Sequence, residues 1–289
     1  MAESIRSVAN VNGTSLSYEI AGQGALVVLL HGDISDQRMW DDQFGALSEH
    51  YRVLRYDFRG FGKSARLDKP YSDLSDLNAL LDFLEIKDRV HLIGSSMGAN
   101  VAISFALEHP DRVASLILVS PGLGGFSDYG QALINVATDI DRMAKSGDLI
   151  TAVELSIRLW IDGLTRPASA VDPSVRLKLH RILSENAHML AAPDDLDTPL
   201  DPPPAARLGE ITAPTLLLVG DRDLREINAI ADAILEGIPT NVEKIVLPDV
   251  AHMLNVEKPT EFNQVVLNYL GNQMAGDRPH PPTPFPASG

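Results

Sequence analysis

Apolar runs and helical patterns alternate along most of the chain. Ala25-Leu-Val-Val-Leu-Leu30 is apolar at every position, which is typical of a strand buried on both faces of a sheet. Strands are predicted over residues 4–11, 15–20, 25–30, 51–56, 90–94, 113–119, 214–219 and 242–247. Amphipathic helices are predicted over residues 73–84, 97–108, 225–235 and 260–270. This alternation predicts an α/β fold with a mostly parallel central sheet and helices on both of its faces.

The first two predicted strands are joined by a hairpin signal. They flank Asn12-Gly13, the dipeptide that best tolerates the positive φ angles of a two-residue turn. The chain is therefore expected to begin with a β-hairpin.

The alternation stops between residues 124 and 208. This stretch contains helical patterns only, over about residues 129–145, 148–161 and 173–191, and it ends in a return segment rich in aspartate and proline. Helices inserted between two strands predict a cap over one end of the sheet. The predicted organisation is an α/β core of residues 1–123 and 209–274, a helical cap of residues 124–208, and a proline-rich, disordered tail of residues 275–289.

Composition and charge narrow the class of protein. The 289 residues carry 24 basic and 39 acidic side chains, so the formal charge is −15. A field of that sign repels phosphate backbones and anionic lipid, which argues against nucleic acid and membrane surfaces as partners. The absence of cysteine excludes disulfides, thiolate chemistry and cysteine-ligated zinc. Since neither a signal-peptide pattern nor a run of 18 apolar residues occurs, a soluble, cytoplasmic protein is expected, with its oligomeric state not indicated.

The segment Gly94-Ser95-Ser96-Met97-Gly98 fits the pattern G-x-S-x-G between a predicted strand and a predicted helix. A sharp strand-to-helix turn presents its central side chain above the sheet edge, and flanking glycines leave room for that turn. The start of the helix also directs the Met97 N–H and the positive end of the helix dipole toward a developing oxyanion. Two interpretations remain open here: Ser96 is a nucleophile, or one of the two serines caps the helix.

A serine nucleophile needs an adjacent base that is held in one orientation. His252 is the candidate base, because its loop follows the last predicted strand and leaves the same sheet edge as Ser96. Asp223, shortly after the strand at 214–219, is the candidate orienting acid, and Asp221 is its rival. The chain order Ser, Asp, His is the order expected of one particular triad-bearing fold. The alternative interpretation of His252 is a solvated loop side chain.

Two further loops leave the same predicted edge. His31-Gly32-Asp33 follows the strand at 25–30, and a loop there can supply the second N–H of an oxyanion hole. The segment 57–64, Asp-Phe-Arg-Gly-Phe-Gly-Lys-Ser, follows the strand at 51–56. Its end is similar to a phosphate-binding loop, but Asp57 stands where that motif requires glycine, so a tight structural turn is predicted instead.

Together these motifs resemble the α/β-hydrolase fold superfamily, in its serine esterase and lactonase group, which includes cofactor-free haloperoxidase-like proteins. The resemblance implies Ser96 as nucleophile, His252 as general base and acid, and Asp223 as its orienting carboxylate. It also implies an oxyanion hole formed by the backbone N–H groups of Asp33 and Met97. The matching segments are His31-Gly32, Arg38-Met39-Trp40, Asp57-x-Arg59-Gly60-x-Gly62-x-Ser64, Gly94-x-Ser96-x-Gly98, Gly220-Asp221-x-Asp223, Ala251-His252 and Glu257-x-Pro259.

Asp33 departs from the family pattern, in which glycine or an apolar residue is common after His-Gly. A carboxylate about 5 Å from a forming oxyanion opposes it by about 3 kcal/mol at an effective dielectric constant of about 20. One hypothesis is that the Asp33 side chain points outward and caps a helix over residues 36–47. The other is that it reaches the pocket and binds a cationic or donor-rich group of the substrate.

The remaining expectations concern the pocket and the reaction. Trp40, near the oxyanion loop, and Trp160, in the cap, are candidates for the walls of an apolar pocket. Neither a metal nor a cofactor is expected, because no H-E-x-x-H or clustered ligand set occurs. The predicted function is cleavage of carboxylic esters or lactones of small, largely apolar molecules through an acyl-enzyme. The alternatives are C–C bond hydrolysis or perhydrolysis on the same triad, and a small-molecule receptor of the same fold.

Overall fold

One central sheet organises the chain. The computed structural model describes residues 4–33, 35–66, 69–193, 196–239 and 241–276. The sheet has eight strands, namely β1 (Ile5–Val11), β2 (Thr14–Ala21), β3 (Leu26–Leu30), β4 (Arg52–Tyr56), β5 (Val90–Ser95), β6 (Val113–Val119), β7 (Thr215–Gly220) and β8 (Val242–Leu247). Their order is β1-β2-β4-β3-β5-β6-β7-β8. β2 pairs antiparallel with β1 and β4, and the other neighbours are parallel. The predicted mostly parallel sheet is confirmed.

The predicted hairpin opens the sheet. Asn12 and Gly13 have φ angles of 48° and 67°, both in the left-handed region that a two-residue hairpin turn requires. The strands on either side are in register from the turn outward, since Val11 stands opposite Thr14.

Helices cover both faces of the sheet, as predicted. Val27 and Leu29 of β3 belong to one buried cluster, and Val28 and Leu30 belong to the other, because successive strand residues point to opposite faces. The unbroken apolar run of β3 follows from this double burial. The first cluster includes residues of α1 (Asp41–Ser48), α8 (Leu254–Glu257) and α9 (Pro259–Gly276), and the second includes residues of α2 (Asp73–Phe83), α3 (Met97–Glu108) and α7 (Arg225–Gly237).

The long insertion between β6 and β7 is helical and contributes no strand to the sheet in its described part. It contains α4 (Gln131–Lys145), α5 (Leu149–Ile157), a π-helical turn (Arg158–Asp162) and α6 (Pro173–Glu185). The return meets the start of the insertion where the Ala205 N–H donates to the Gly124 carbonyl at 2.9 Å. Two predicted helices are shorter than expected: the one over 148–161 becomes π-helical at Arg158, and the one over 173–191 ends at Glu185.

The C-terminal helix is longer than predicted. α9 runs to Gly276, two residues into the segment predicted as a tail, and residues 277–289 lie outside the described residues. None of the described helices is long and apolar enough to cross a bilayer.

The turn from β5 into α3 is a crowded backbone junction at the sheet edge. A Cβ atom on Gly94 would lie 2.3 Å from the carbonyl oxygen of Gly98, and a Cβ on Gly98 would lie 2.3 Å from the carbonyl oxygen of Leu30. Side chains at either position would therefore force β3, β5 and α3 apart. The two glycines of G-x-S-x-G are required by this close approach of three backbone segments.

The crowding predicts a specific loss of stability. Gly98→Ala should lower the free energy of unfolding by more than ~1 kcal/mol, because backbone rather than a flexible side chain must shift. Gly45→Ala in α1 is the control, since nothing lies within 4 Å of its Cβ position, and it should raise the free energy of unfolding by about 0.5–1 kcal/mol. Urea denaturation measures both, and equal midpoints for the two variants would contradict the packing described above.

Candidate active site

Ser96 stands at the top of the strand-to-helix turn in a strained backbone conformation. Its φ of 52° and ψ of −113° lie outside the regions that side-chain-bearing residues favour. The residue is partly exposed, and it occupies the N-cap position of α3 without any side-chain capping hydrogen bond. The helix-cap interpretation of Ser96 is therefore wrong. Met97, the first residue of α3, has an N–H with no acceptor inside the helix, and that N–H is available to a ligand beside the serine.

The loop after β3 packs directly against the serine. The Cβ position of Gly32 is 3.5 Å from the Ser96 Cβ, so this loop forms one wall of the site. His31 holds the loop in place: its Nδ1 is 2.8 Å from the Gly32 carbonyl oxygen, and its Nε2 accepts the Phe58 N–H at 2.9 Å. Burial lowers the pKa of His31, so the ring is neutral, with its proton on Nδ1.

The Asp33 side chain is exposed and does not cap the helix that follows. The capping residue is Asp36, whose side chain accepts the Arg38 N–H of a 3₁₀ turn over Gln37–Trp40. The prediction that Asp33 caps this helix is wrong. The Arg38 guanidinium holds the Asp36 carboxylate in place at 2.6 Å, and its hydrogen bonds lower the pKa of Asp36 against the opposing effect of burial, so the capping group stays charged.

The turn at residues 57–64 is structural, as its sequence indicated. The Asp57 carboxylate accepts the N–H groups of Gln37 at 3.0 Å and Lys63 at 2.9 Å. Ser64 Oγ donates to the Asp57 carbonyl oxygen at 2.6 Å. These bonds close the turn on itself and tie it to the segment that begins α1.

His252 and Asp223 form a buried pair. The His252 Nδ1 atom lies 3.0 and 3.2 Å from the two carboxylate oxygens of Asp223, and the side chains are 3% and 1% exposed. The Leu224 N–H also donates to Asp223 at 2.8 Å, which fixes the carboxylate. The rival Asp221 is exposed and instead accepts the Asp249 N–H. The solvated-loop interpretation of His252 is wrong, because the ring is buried and oriented by a carboxylate.

The described residues form no hydrogen bond between Ser96 Oγ and His252 Nε2. The bond to Asp223 occupies Nδ1 and leaves Nε2 as the acceptor of this imidazole. Nucleophile–base hydrogen bonds are often long or poorly aligned without substrate and tighten in the complex. The structure therefore shows an imidazole oriented by Asp223 and a serine held on a strained turn, without a hydrogen bond between the two among the described residues.

The two tryptophans have different positions. Trp160, on the π-helical turn of the cap, lies with its ring centroid 4.6 Å from that of His252. Trp40 has no exposed surface and packs against Phe262 of α9 at 6.2 Å. The prediction that Trp40 lines the pocket is wrong, because its ring fills the core between α1 and α9. π-Helical turns often occur at functional sites, and this one delivers an aromatic ring to the histidine.

Two residues around the histidine loop were missed as site residues. Glu257, which was noted only as part of a matching segment, accepts the N–H of Ala251 at 3.0 Å. Arg166 of the cap forms an ion pair with Glu257 at 2.8 Å. Nothing in the pattern around Arg166 indicates this partner, which lies 91 positions further along the chain.

Several acidic groups lie near Asp33 of the loop after β3. Asp73, at the start of α2, is 6% exposed, and its Oδ1 is buried without a hydrogen-bonding partner among the described residues. Burial raises the pKa of Asp73 well above its usual range, and the charges of Asp197 and Asp33 add to the rise. The neighbouring Arg59 is paired with Asp76 at 2.8 Å, with both side chains buried.

Among the described residues, no group of three or more histidine and carboxylate side chains is placed to hold a metal ion.

A match between the amino-acid sequence and a protein-family model identifies the family. Residues 27–265 match the model of the alpha/beta hydrolase family. The chain belongs to that family. This span includes β3 except for its first residue, and all of β4 to β8. It also includes the insertion between β6 and β7, and Ser96, Asp223 and His252.

Relatives and solved structures point to hydrolases with different substrates. A protein of Cupriavidus pinatubonensis named 2-hydroxy-6-oxononadienedioate/2-hydroxy-6-oxononatrienedioate hydrolase is 31% identical over 268 residues, 87% of this chain and 89% of the relative. A thermophilic esterase of Thermogutta terrifontis has a TM-score of 0.75 and 26% identity, over 93% of this chain and 99% of that one. The enol-lactonase of Burkholderia xenovorans LB400 has a TM-score of 0.74 and 26% identity, over 92% and 100%. The expected resemblance to hydrolases of the esterase and lactonase group is confirmed.

The buried Asp73 carboxyl predicts a pH-dependent stability. Because the folded protein favours its protonated form, Asp73 reduces the free energy of unfolding progressively as the pH rises above about 4, the ordinary range of a carboxyl group. Asp73→Asn keeps a neutral side chain and should therefore gain stability relative to the wild type between pH 4 and pH 8. Chemical denaturation across this range measures the difference, with the exposed Asp111→Asn as control. A constant difference at all pH values would contradict the expected titration.

Proposed function

We propose that the protein is a serine hydrolase that cleaves carboxylic esters or lactones of small, largely apolar molecules. Ser96 is the nucleophile, His252 the general base and acid, and Asp223 the carboxylate that orients it. The observation that carries the proposal is the buried His252–Asp223 pair, at the same sheet edge as a serine held on a strained strand-to-helix turn. The α/β hydrolase family and the esterase and lactonase neighbours support it.

The proposed reaction has two steps. Ser96 Oγ attacks the carbonyl carbon while His252 Nε2 takes its proton, and Asp223 stabilises the imidazolium that forms. The N–H groups of Met97 and Asp33 receive the developing oxyanion. The imidazolium then gives its proton to the leaving alcohol. Water, activated by His252, attacks the acyl-enzyme and releases the acid, which regenerates the serine.

The charges near the site favour a neutral substrate. The carboxylates of Asp33 and Asp197 add negative potential beside the loop after β3, where they raise the pKa of the buried Asp73. Arg59 and Arg166 are each bonded to a carboxylate and so are already neutralised. An anionic group on the substrate would face the acidic side without a gain from these two guanidinium groups. Esters and lactones without a carboxylate are therefore the proposed substrates.

Hydrolysis of a carbon–carbon bond is the second candidate. It is favoured by the 31% identical relative, whose named substrate is a dicarboxylate without an ester linkage. The same serine and histidine can serve both reactions, so the substrate rather than the triad separates them. The acidic side of the site argues against a dianion, and for this reason the ester is preferred here.

Removal of the Ser96 hydroxyl tests the nucleophile. Ser96→Ala should lower kcat on p-nitrophenyl esters by on the order of 10⁶, because both the attack and the acyl-enzyme are lost. A sulfonyl fluoride should add one covalent mass to the wild type, located at Ser96, and none to the variant. Ser95→Ala is the matched control, since Ser95 Oγ is buried at the end of β5. Rapid hydrolysis by Ser96→Ala would refute the mechanism, and a single slow turnover of the wild type would favour a receptor.

A matched pair of esters tests the substrate class. The p-nitrophenyl ester of valeric acid is neutral, and the mono-p-nitrophenyl ester of glutaric acid carries a terminal carboxylate on a chain of similar length. The neutral ester should have a kcat/KM at least ~10-fold higher, because one repulsion of about 1.4 kcal/mol gives that factor. Asp33→Asn should reduce the ratio. If the anionic ester, or 2-hydroxy-6-oxononadienedioate itself, is the better substrate, the second candidate replaces the first.

A further inference from the structure

Arg166 joins the cap to the loop that carries His252. Its guanidinium forms two hydrogen bonds with the Glu257 carboxylate, Nη1 to Oε2 at 2.8 Å and Nη2 to Oε1 at 3.2 Å. The two side chains are 9% and 7% exposed. A bidentate pair at this depth has little freedom, because each partner would leave a buried charge if the other moved.

The remaining donors of Arg166 bind carbonyl groups on both sides of this contact. On the cap side, Nε donates to Asp162 at 2.8 Å and Nη2 to Ile161 at 2.8 Å. On the core side, Nη1 donates to the Asp249 carbonyl at 3.3 Å. All five N–H groups of the guanidinium therefore have acceptors, and they divide between the two parts of the molecule.

The groups held by Arg166 flank the two rings that meet in the site. Ile161 and Asp162 directly follow Trp160, and the Ala251 N–H, which directly precedes His252, is bound by Glu257 at 3.0 Å. Asp249 has a φ of 58°, a strained conformation that its surroundings must hold. One ion pair thus supports both the histidine loop and the tryptophan that packs on the histidine.

We propose that Arg166 is a positioning residue that fixes His252 and Trp160 relative to each other through its pair with Glu257. This role rests on the proposed function, in which His252 is the base. The pair acts by geometry, and removing either partner alone would leave one buried charge beside the histidine loop uncompensated.

Other charged groups around the loop are already paired. Asp223 faces His252 from the loop after β7. Arg222 pairs with Asp249 at 3.2 Å and with Asp221 at 3.6 Å, and these groups are exposed. On the cap side, the buried Asp162 carboxylate is paired with Arg176 at 3.1 Å. The variants below leave all of these groups in place, so a change in titration reports the Arg166–Glu257 pair.

Opposite substitutions should move the acid limb of the pH–activity profile in opposite directions. Arg166→Met leaves Glu257 uncompensated and should raise the midpoint of the limb by about one pH unit, whereas Glu257→Gln should lower it. The double variant should return close to the wild-type midpoint. Arg55→Met and Glu19→Gln are matched controls, because that pair is equally buried but lies on β4 and β2, far from β8. A loss of packing alone would not move the midpoint of the acid limb in opposite directions for the two substitutions.

Arg166→Lys separates geometry from charge. Lysine keeps the cation but cannot make the five hydrogen bonds, so kcat should fall ~10-fold with KM and the midpoint little changed. Trp160 gives a readout that does not need turnover, since protonated histidine quenches a tryptophan in contact with it. The sequence has two tryptophans, so Trp40→Phe makes Trp160 the sole reporter. Emission of this background should fall in acid, and the fall should be smaller with Arg166→Lys.

The outcomes distinguish this role from the proposed function. If ester hydrolysis is absent but the emission midpoints of Arg166→Met and Glu257→Gln move in opposite directions, the positioning role stands and the function falls. If hydrolysis depends on Ser96 but both midpoints stay at the wild-type value, the positioning role falls. A wild-type kcat together with a full emission change in Arg166→Lys would also overturn it.

Discussion

The strained turn at Ser96 is the constraint on which the rest of the site depends. A side-chain-bearing residue in a left-handed conformation costs about 1–3 kcal/mol and persists only where the surroundings enforce it. Here the surroundings are three backbone segments in close contact, which Gly94 and Gly98 make possible. The conformation carries the Ser96 side chain away from the helix it would otherwise cap. A polar side chain and an unpaired N–H are thereby presented together at the edge of the sheet.

Around this turn, the charges divide the site into two sides. On the histidine side, Asp223 orients the ring and the Arg166–Glu257 pair is internally neutral. On the side of the loop after β3, the charges of Asp197 and Asp33 lie near Asp73, and burial together with these charges holds Asp73 toward its neutral form by raising its pKa. In the mechanism proposed above, such a division would favour formation of a positive imidazolium and disfavour an anionic substrate. It links the electrostatics of the fold to the choice between the two candidate reactions.

The family by itself leaves that choice open. One fold can carry different activities, and relatives and neighbours of 26–31% identity to this chain have different names. In this chain, the insertion between β6 and β7 supplies Trp160 and Arg166. The contact between Trp160 and His252 shows that the cap takes part in the site directly, at a ring separation of 4.6 Å.

The sequence by itself determined the parts that depend on local chemistry and on strand direction. The hairpin at Asn12-Gly13, the doubly buried strand β3 and the serine turn each follow from side-chain periodicity or backbone freedom within a few residues. Asp223 and His252 were candidates because parallel strands bring their carboxyl ends to one edge, and the family resemblance favoured Asp223 over Asp221. Contacts between segments that are far apart in the sequence could be read only from the tertiary structure.

The side-chain directions illustrate what only packing could decide. Asp36 rather than Asp33 caps the turn, because the Arg38 guanidinium and the amide of Asn186 from the cap converge on its carboxylate. Trp40 turns into the core and Trp160 contacts the histidine, although the sequence made both of them candidates for the pocket wall. Arg166 finds Glu257 across 91 positions. Helical periodicity shows that a segment has an apolar face, but the surface that covers this face is set by how the cap and the core pack together.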